Sequence, residues 1–176
     1  MFSKSYIDQL QELHNDKSRK RGFGGKVKKL GKFYSFMDKW TPSSLLDYGC
    51  GKGYILAQLK ENYPNTICVG YDPAIPMFSN LNNQTFNCVF SNDVLEHIEP
   101  EYLDQVLMHI NNLAESFIWL RIDTLPARKV LPDGRNAHLI LEQPEWWLDQ
   151  IRTHINGSVV YSNLDKKGKF DVAIEK

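Results

Sequence analysis

Three glycines at alternate positions, Gly49, Gly51 and Gly53, follow directly on the apolar run Leu45-Leu46-Asp47-Tyr48. This arrangement constrains the fold more than any other feature of the chain. An apolar strand must end at an acid and turn at once into a helix, and glycine lets the backbone do so while a ligand approaches without meeting a Cβ. The spacing is Gly-x-Gly-x-Gly, whereas a dinucleotide fingerprint places its third glycine one position later. An acid ahead of the turn suits a ligand carrying a cationic group better than one carrying phosphates.

Two further strand ends support this reading. Ile67-Cys68-Val69-Gly70-Tyr71 ends at Asp72, 19 positions beyond Gly53 (72 − 53), where a carboxylate at a strand tip can accept ribose hydroxyls. Phe86-Asn87-Cys88-Val89-Phe90-Ser91 runs into Asn92-Asp93-Val94-Leu95-Glu96-His97. In this order the three motifs resemble those of the class I S-adenosylmethionine-dependent methyltransferases, over roughly residues 43 to 123. The resemblance implies S-adenosylmethionine as cofactor. It assigns Asp47 and Gly49 to the methionine amino group, Asp72 to the ribose, and Asn92 with Asp93 to the neighbourhood of the transferring methyl. Cys50, Gly51 and Pro73 fall beside them in the implied cofactor site. Asp72 also reads as a helix N-cap, although Pro73 and Pro76 make a regular helix start there unattractive.

One interval departs from the family pattern. Asp72 and Asp93 are 21 positions apart (93 − 72), and a further strand with its crossover helix needs roughly 30 residues or more. The expected fold is therefore an α/β, Rossmann-like doubly wound sheet, mostly parallel with a C-terminal antiparallel hairpin. It has six strands, the usual third strand and its helix being missing, and the strand ending at Asp72 lies at an exposed edge. No residue inherits the family's adenine-reading position. Adenine would be held by 74–78, where Phe78 reads equally as a stacking face or as core.

The segment 123–138, Asp-Thr-Leu-Pro-Ala-Arg-Lys-Val-Leu-Pro-Asp-Gly-Arg-Asn-Ala-His, is too punctuated by proline and glycine for one helix. It leaves the sheet at the carboxyl edge, where ligands sit in open α/β folds. Its Pro-Asp-Gly-Arg-Asn-x-His string is similar to one in small methyltransferase-like sequences with no defined substrate. Arg128, Arg135 and Asn136 are the candidate substrate-binding residues, with Trp146 and Trp147 as a wall from the next helix. His138 is the candidate catalytic base, alongside Asp93; the alternative is that Pro132 to Arg135 is only a surface turn. His97 reads as a packing residue at a helix start, and His14, His109 and His154 lie on expected helices. The basic run Lys17 to Lys29 reads as a solvated loop, a lid hinged at Gly22, Gly24 and Gly25, or a phosphate grip.

The elements expected around these motifs are two N-terminal helices, core helices at 54–63, 100–115 and 144–155, and strands at 45–48, 67–71, 87–91, 117–122, 158–162 and 170–174. One domain, 1–176, is expected, with 1–42 as a helical lead-in or lid and 43–176 as the cofactor-binding core. A chain of 176 residues, 42% hydrophobic, can bury one substantial core. Its formal net charge of zero argues against a surface that attracts nucleic acid as a whole. No apolar run suits secretion or a membrane crossing, and Cys50, Cys68 and Cys88 lack any Cys-x-x-Cys pair, so free thiols, a cytoplasmic location and no metal are expected. The function implied is methyl transfer to an oxygen or nitrogen of a small polar metabolite. RNA or nucleotide methylation through the basic run and a non-catalytic S-adenosylmethionine-binding module are the alternatives. The exposed sheet edge is the expected place for any oligomer contact.

Overall fold

In the computed structural model residues 3–15, 30–81 and 84–176 are described. The basic run 17–29 lies outside them. The element order is α1 (Lys4–Asn15), α2 (Lys32–Trp40), β1 (Ser44–Tyr48), α3 (Tyr54–Asn62), β2 (Ile67–Tyr71), β3 (Phe86–Asn92), α4 (Leu103–Leu113), β4 (Ala114–Asp123), α5 (Pro144–His154), β5 (Ser158–Leu164) and β6 (Lys169–Glu175).

The six strands form one sheet in the order β2-β1-β3-β4-β6-β5. β2, β1, β3 and β4 are mutually parallel, and β6 runs antiparallel to both β4 and β5. β2 is an edge strand among the described residues, as the short interval from Asp72 to Asp93 requires. The central strands β1 and β3 are buried along nearly their whole length, polar Asp47, Ser91 and Asn92 included, as strands covered on both faces are.

One face is covered by α4 and α5, whose Val106, Leu107, Ile110, Trp147 and Ile151 pack on Val89, Ile118 and Leu120. The other is covered by α2 and α3, with Phe33, Met37 and Leu59 against Leu45, Phe90 and Trp119. Fully burying each such side chain contributes about 1.5–3 kcal/mol. α1 packs elsewhere: Tyr6 and Leu13 meet Leu131 and Ala137 of the loop after β4. Ser3 caps α1 through its Oγ, which accepts from Tyr6 N at 3.1 Å, and it donates to Glu99 at 2.8 Å.

The helix expected at 100–115 is shorter. Pro100–Tyr102 form a 3-10 turn, and the chain becomes β4 at Ala114 rather than Phe117. Lys176 Nζ donates to the carbonyls of Asn111 and Ala114, both at 2.6 Å. A cation on the last carbonyls closes a helix end, and this contact comes from 60 or so residues away, out of reach of local sequence reading.

Candidate functional site

The turn after β1 is built on the end of β2. Gly49 N and Cys50 N both donate to the Tyr71 carbonyl, at 2.7 and 3.0 Å, and Gly51 N donates to Asp72 Oδ2 at 2.9 Å. The other carboxylate oxygen of Asp72 accepts from Ala74 N at 2.9 Å. Asp72 is thus the brace that fixes the glycine turn, and not a helix cap. Gly49 has φ of +79°, and a Cβ on it would stand 2.4 Å from Val94 Cγ2.

A cavity of about 590 Å³ opens over the carboxyl ends of β1, β2, β3 and β4. Gly49, Cys50, Gly51, Asp72 and Pro73 line one end. Asn92 and Asp93 stand at its middle, with Asn92 Oδ1 buried and without a partner among the described residues. Arg128 and His138 line the opposite end, and Tyr6 and Leu10 of α1 close part of the roof.

Asp47 is not on the cavity wall. It lies under the turn, 2% exposed, and accepts from the backbone N–H of Leu56 in the first turn of α3. Burial, followed by the charge of Asp72, raises its pKa to about 7. The acid that the motif assigns to a ligand amino group therefore supports the turn from beneath. Phe78 is also off the cavity wall; it packs against the α3 side of the core and lies close to Gly53 and Gly70.

Several acceptor-side expectations are corrected. Arg135 pairs with Asp133, Nη2 to Oδ2 at 2.7 Å, at the surface of the 131–135 turn. Asn136 is consumed by the loop itself: its Oδ1 accepts from Ala127 N and His138 N, and its Nδ2 donates to the Ala127 carbonyl. Trp147 is fully buried in the core, and Trp146 packs beside it with their rings edge to face. None of these four lines the cavity. The apolar face of α5 must cover the sheet, so its tryptophans turn inward and not toward the cleft.

Two groups beside Asp93, Lys169 on the cavity wall and Glu96 behind it, carry no signal of their own in the sequence. Lys169, from β6, reaches Asp93 Oδ1 at 2.9 Å and Asp123 Oδ2 at 2.8 Å. Burial lowers its pKa, but the two carboxylates outweigh that and leave it raised. Asp93 holds a left-handed backbone, φ 54°, a conformation that costs a non-glycine residue free energy and clusters at functional sites. Glu96 is fully buried behind this group; burial first, then Asp93, pushes its pKa well up. The antiparallel pairing of β4 with β6 brings Lys169 opposite Asp123, so the sequence shows it only to a reader who already has the register.

His138 and His97 face each other edge to face, ring centroids 4.7 Å apart. His138 Nδ1 bonds the Leu125 carbonyl and His97 Nδ1 the Ala137 carbonyl. Burial, then the neighbouring His138, lowers the pKa of His97 to about 4. Burial likewise raises the Cys50 thiol, so Cys50 is no thiolate nucleophile.

Comparison with known proteins agrees with this geometry. The sequence profile of a methyltransferase domain family matches residues 9–163. No curated protein matches the chain. Among solved structures, the DhpI–SAH complex superposes with a TM-score of 0.62 at 13% identity, covering 97% of each chain. An O-methyltransferase family protein from Burkholderia thailandensis gives 0.62 at 15% identity, covering 99% of this chain and 56% of its own. The 1,6-didemethyltoxoflavin-N1-methyltransferase of the same organism, solved with 1,6-didemethyltoxoflavin and S-adenosylhomocysteine, gives 0.57 at 16%, covering 84% of each. The chain spans little more than half the length of the two O-methyltransferase structures it matches, 54% and 56%. The profile match over most of the chain, on a sheet of matching fold, shows that it belongs to the methyltransferase domain family.

Proposed function

We propose that the protein transfers a methyl group from S-adenosylmethionine to an oxygen or nitrogen of a small polar metabolite. The observation that carries this reading is the single continuous cavity that joins the glycine turn to the 123–138 loop, so that donor and acceptor can lie end to end. Its volume, about 590 Å³, is within the usual range for one site holding small ligands. Asn92 Oδ1, buried and unpartnered among the described residues, is a ready acceptor for a donor-side ammonium. Asp72 has both oxygens on backbone N–H groups but keeps lone pairs for ribose hydroxyls, since each carboxylate oxygen accepts twice.

The donor supplies a methyl already activated by a positive sulfonium, so alignment in a water-poor cleft supplies most of the rate. Arg128 and the Asp93–Lys169–Asp123 group set the charge around the acceptor, and His138 presents its Nε2 side there. We read α1, which contributes Tyr6 and Leu10, as part of a lid over this end, within one domain. A cytoplasmic location fits three free cysteines, and no helix among the described residues is long and apolar enough to cross a membrane.

Incubation with methyl-labelled S-adenosylmethionine and fractionated metabolites or RNA tests the assignment. Label in small molecules is the expected result. Label in RNA would move the acceptor to nucleic acid, and S-adenosylhomocysteine binding with no transfer to any fraction would leave a binding module.

A further inference from the structure

We propose that Glu96, His97 and His138 form a site for one divalent first-row transition cation in the acceptor-side wall of the cavity. A ligand atom from each of the three lies within 4.8 Å of the other two. Glu96 is 0% exposed, and its Oε2 has no partner among the described residues, while Oε1 accepts from Asp123 N at 3.0 Å. A buried carboxylate oxygen left unpaired costs several kcal/mol, and a bound ion is one of the few things that removes the cost.

Both imidazoles make the backbone contact that orients a ring for metal binding. Each directs Nδ1 at a backbone carbonyl, Ala137 for His97 and Leu125 for His138. That contact fixes the tautomer and ring orientation and makes Nε2 the atom that would meet a cation. Glu96 itself anchors the far strand of the loop, since its carbonyl accepts from Leu139 N and Ile140 N at 2.7 and 3.1 Å. The same residue thus holds the loop that delivers His138.

Donor type selects the ion; overall charge does not, since Arg128, Lys129 and Lys167 line the same cavity as the Asp93–Lys169–Asp123 group. Two imidazoles and one carboxylate without thiolate favour Zn²⁺, Fe²⁺, Co²⁺ or Mn²⁺ over Ca²⁺ or Mg²⁺. Ligand atoms on a tetrahedral zinc stand about 3.3 Å apart, so binding draws the three inward by small side-chain adjustments. The histidines line the cavity while Glu96 lies behind them, so the remaining coordination positions face the acceptor. An acceptor oxygen is the natural fourth ligand. In that arrangement the His138 Nε2 lone pair is committed to the ion and does not remove a proton. The role toward an acceptor rests on the methyl-transfer reading; the cation binding does not.

Nothing in the sequence announces a site in which Glu96 and His97 are adjacent and His138 follows 41 positions later (138 − 97). The test is equilibrium dialysis of the tag-free protein against Co²⁺, with S-adenosylhomocysteine affinity measured in parallel by calorimetry. One equivalent of Co²⁺ is expected. Glu96→Gln and His97→Asn/His138→Asn should each weaken it about 100-fold or more, with nucleoside affinity within about 2-fold. Should these variants fail to fold, the proton spectrum of the wild-type Co²⁺ form decides: two strongly shifted exchangeable ring N–H signals are expected, one from each retained Nδ1–H. Absence of stoichiometric binding, retention of it in a folded double variant, or a spectrum without those signals overturns the site. Co²⁺ binding at the triad without S-adenosylhomocysteine binding would keep the site and reject the methyl donor.

Discussion

Gly51 donates its backbone N–H to Asp72 Oδ2 at 2.9 Å, so the carboxylate at the tip of β2 sets the shape of the turn that follows β1. Asp72 thus has two duties, bracing the turn and facing the cavity. Asp72→Ala should weaken S-adenosylhomocysteine binding by roughly 1.5–3 kcal/mol and lower thermal stability as well, because two backbone donors lose their acceptor. Asp72→Asn keeps one acceptor oxygen and should lose affinity with less loss of stability. Equal affinity in wild type and Asp72→Ala, measured calorimetrically, would remove the residue from the site.

The turn was legible in the sequence because its chemistry is local: a strand, an acid and alternate glycines within nine residues, 45–53. The missing strand was legible because chain length alone forbids it. The acceptor end was much less so. Arg135, Asn136, Trp146 and Trp147 are polar or aromatic groups near the right loop, but their partners are fixed by the loop's own hydrogen bonds and by the buried face of α5. Lys169 and Glu96 enter the site through β-sheet register and through burial, neither of which a residue type announces. His138 stands out in sequence only as an imidazole behind a turn; what gives it neighbours is the return of the loop onto Glu96.

Gly49→Ala should destabilise the protein and abolish nucleoside binding. Its Cβ would stand 2.4 and 2.7 Å from the two methyls of Val94, at a φ of +79°. The left-handed conformation alone costs about 1–2 kcal/mol, and overpacking adds about 1–3. In chemical denaturation Gly49→Ala/Val94→Ala should recover most of the steric part and no more, since the Val94 Cβ itself stands 3.1 Å from the added Cβ. Full recovery would mean that the backbone conformation carries no cost.

Lys169→Met removes the ammonium shared by Asp93 and Asp123 and leaves both carboxylates facing each other across the cavity wall. Removing one partner of a partly buried ion group should cost about 2–3 kcal/mol, somewhat less than the fully buried case because the Lys169 side chain is 28% exposed. Lys169→Met/Asp123→Asn should be less destabilised than the sum of the single changes. Denaturation of the four proteins measures the coupling, and simple additivity would show that Lys169 packs without pairing.

Asp47 gives stability a pH dependence opposite in sign to that of a paired carboxylate. Its pKa is raised from 3.8 to about 7 in the folded protein, because burial and then Asp72 disfavour the charge. Below about pH 4 the carboxyl is protonated folded or unfolded, and it costs nothing. As pH rises from 4 to 7 the unfolded chain releases the proton while the folded one keeps it, so stability falls, and above 7 the loss is complete. The full loss is on the order of 4 kcal/mol as an upper bound. Asp47→Asn cannot ionise and should flatten the curve of unfolding free energy between pH 5 and 8. Its amide adds a donor where Oδ2 has no partner among the described residues, so the absolute stability at any one pH is offset by that group. The slope is therefore the readout. A wild-type slope retained unchanged in Asp47→Asn would assign the pH dependence to another group and place Asp47 in the folded protein as an ordinary ionised capping carboxylate on Leu56.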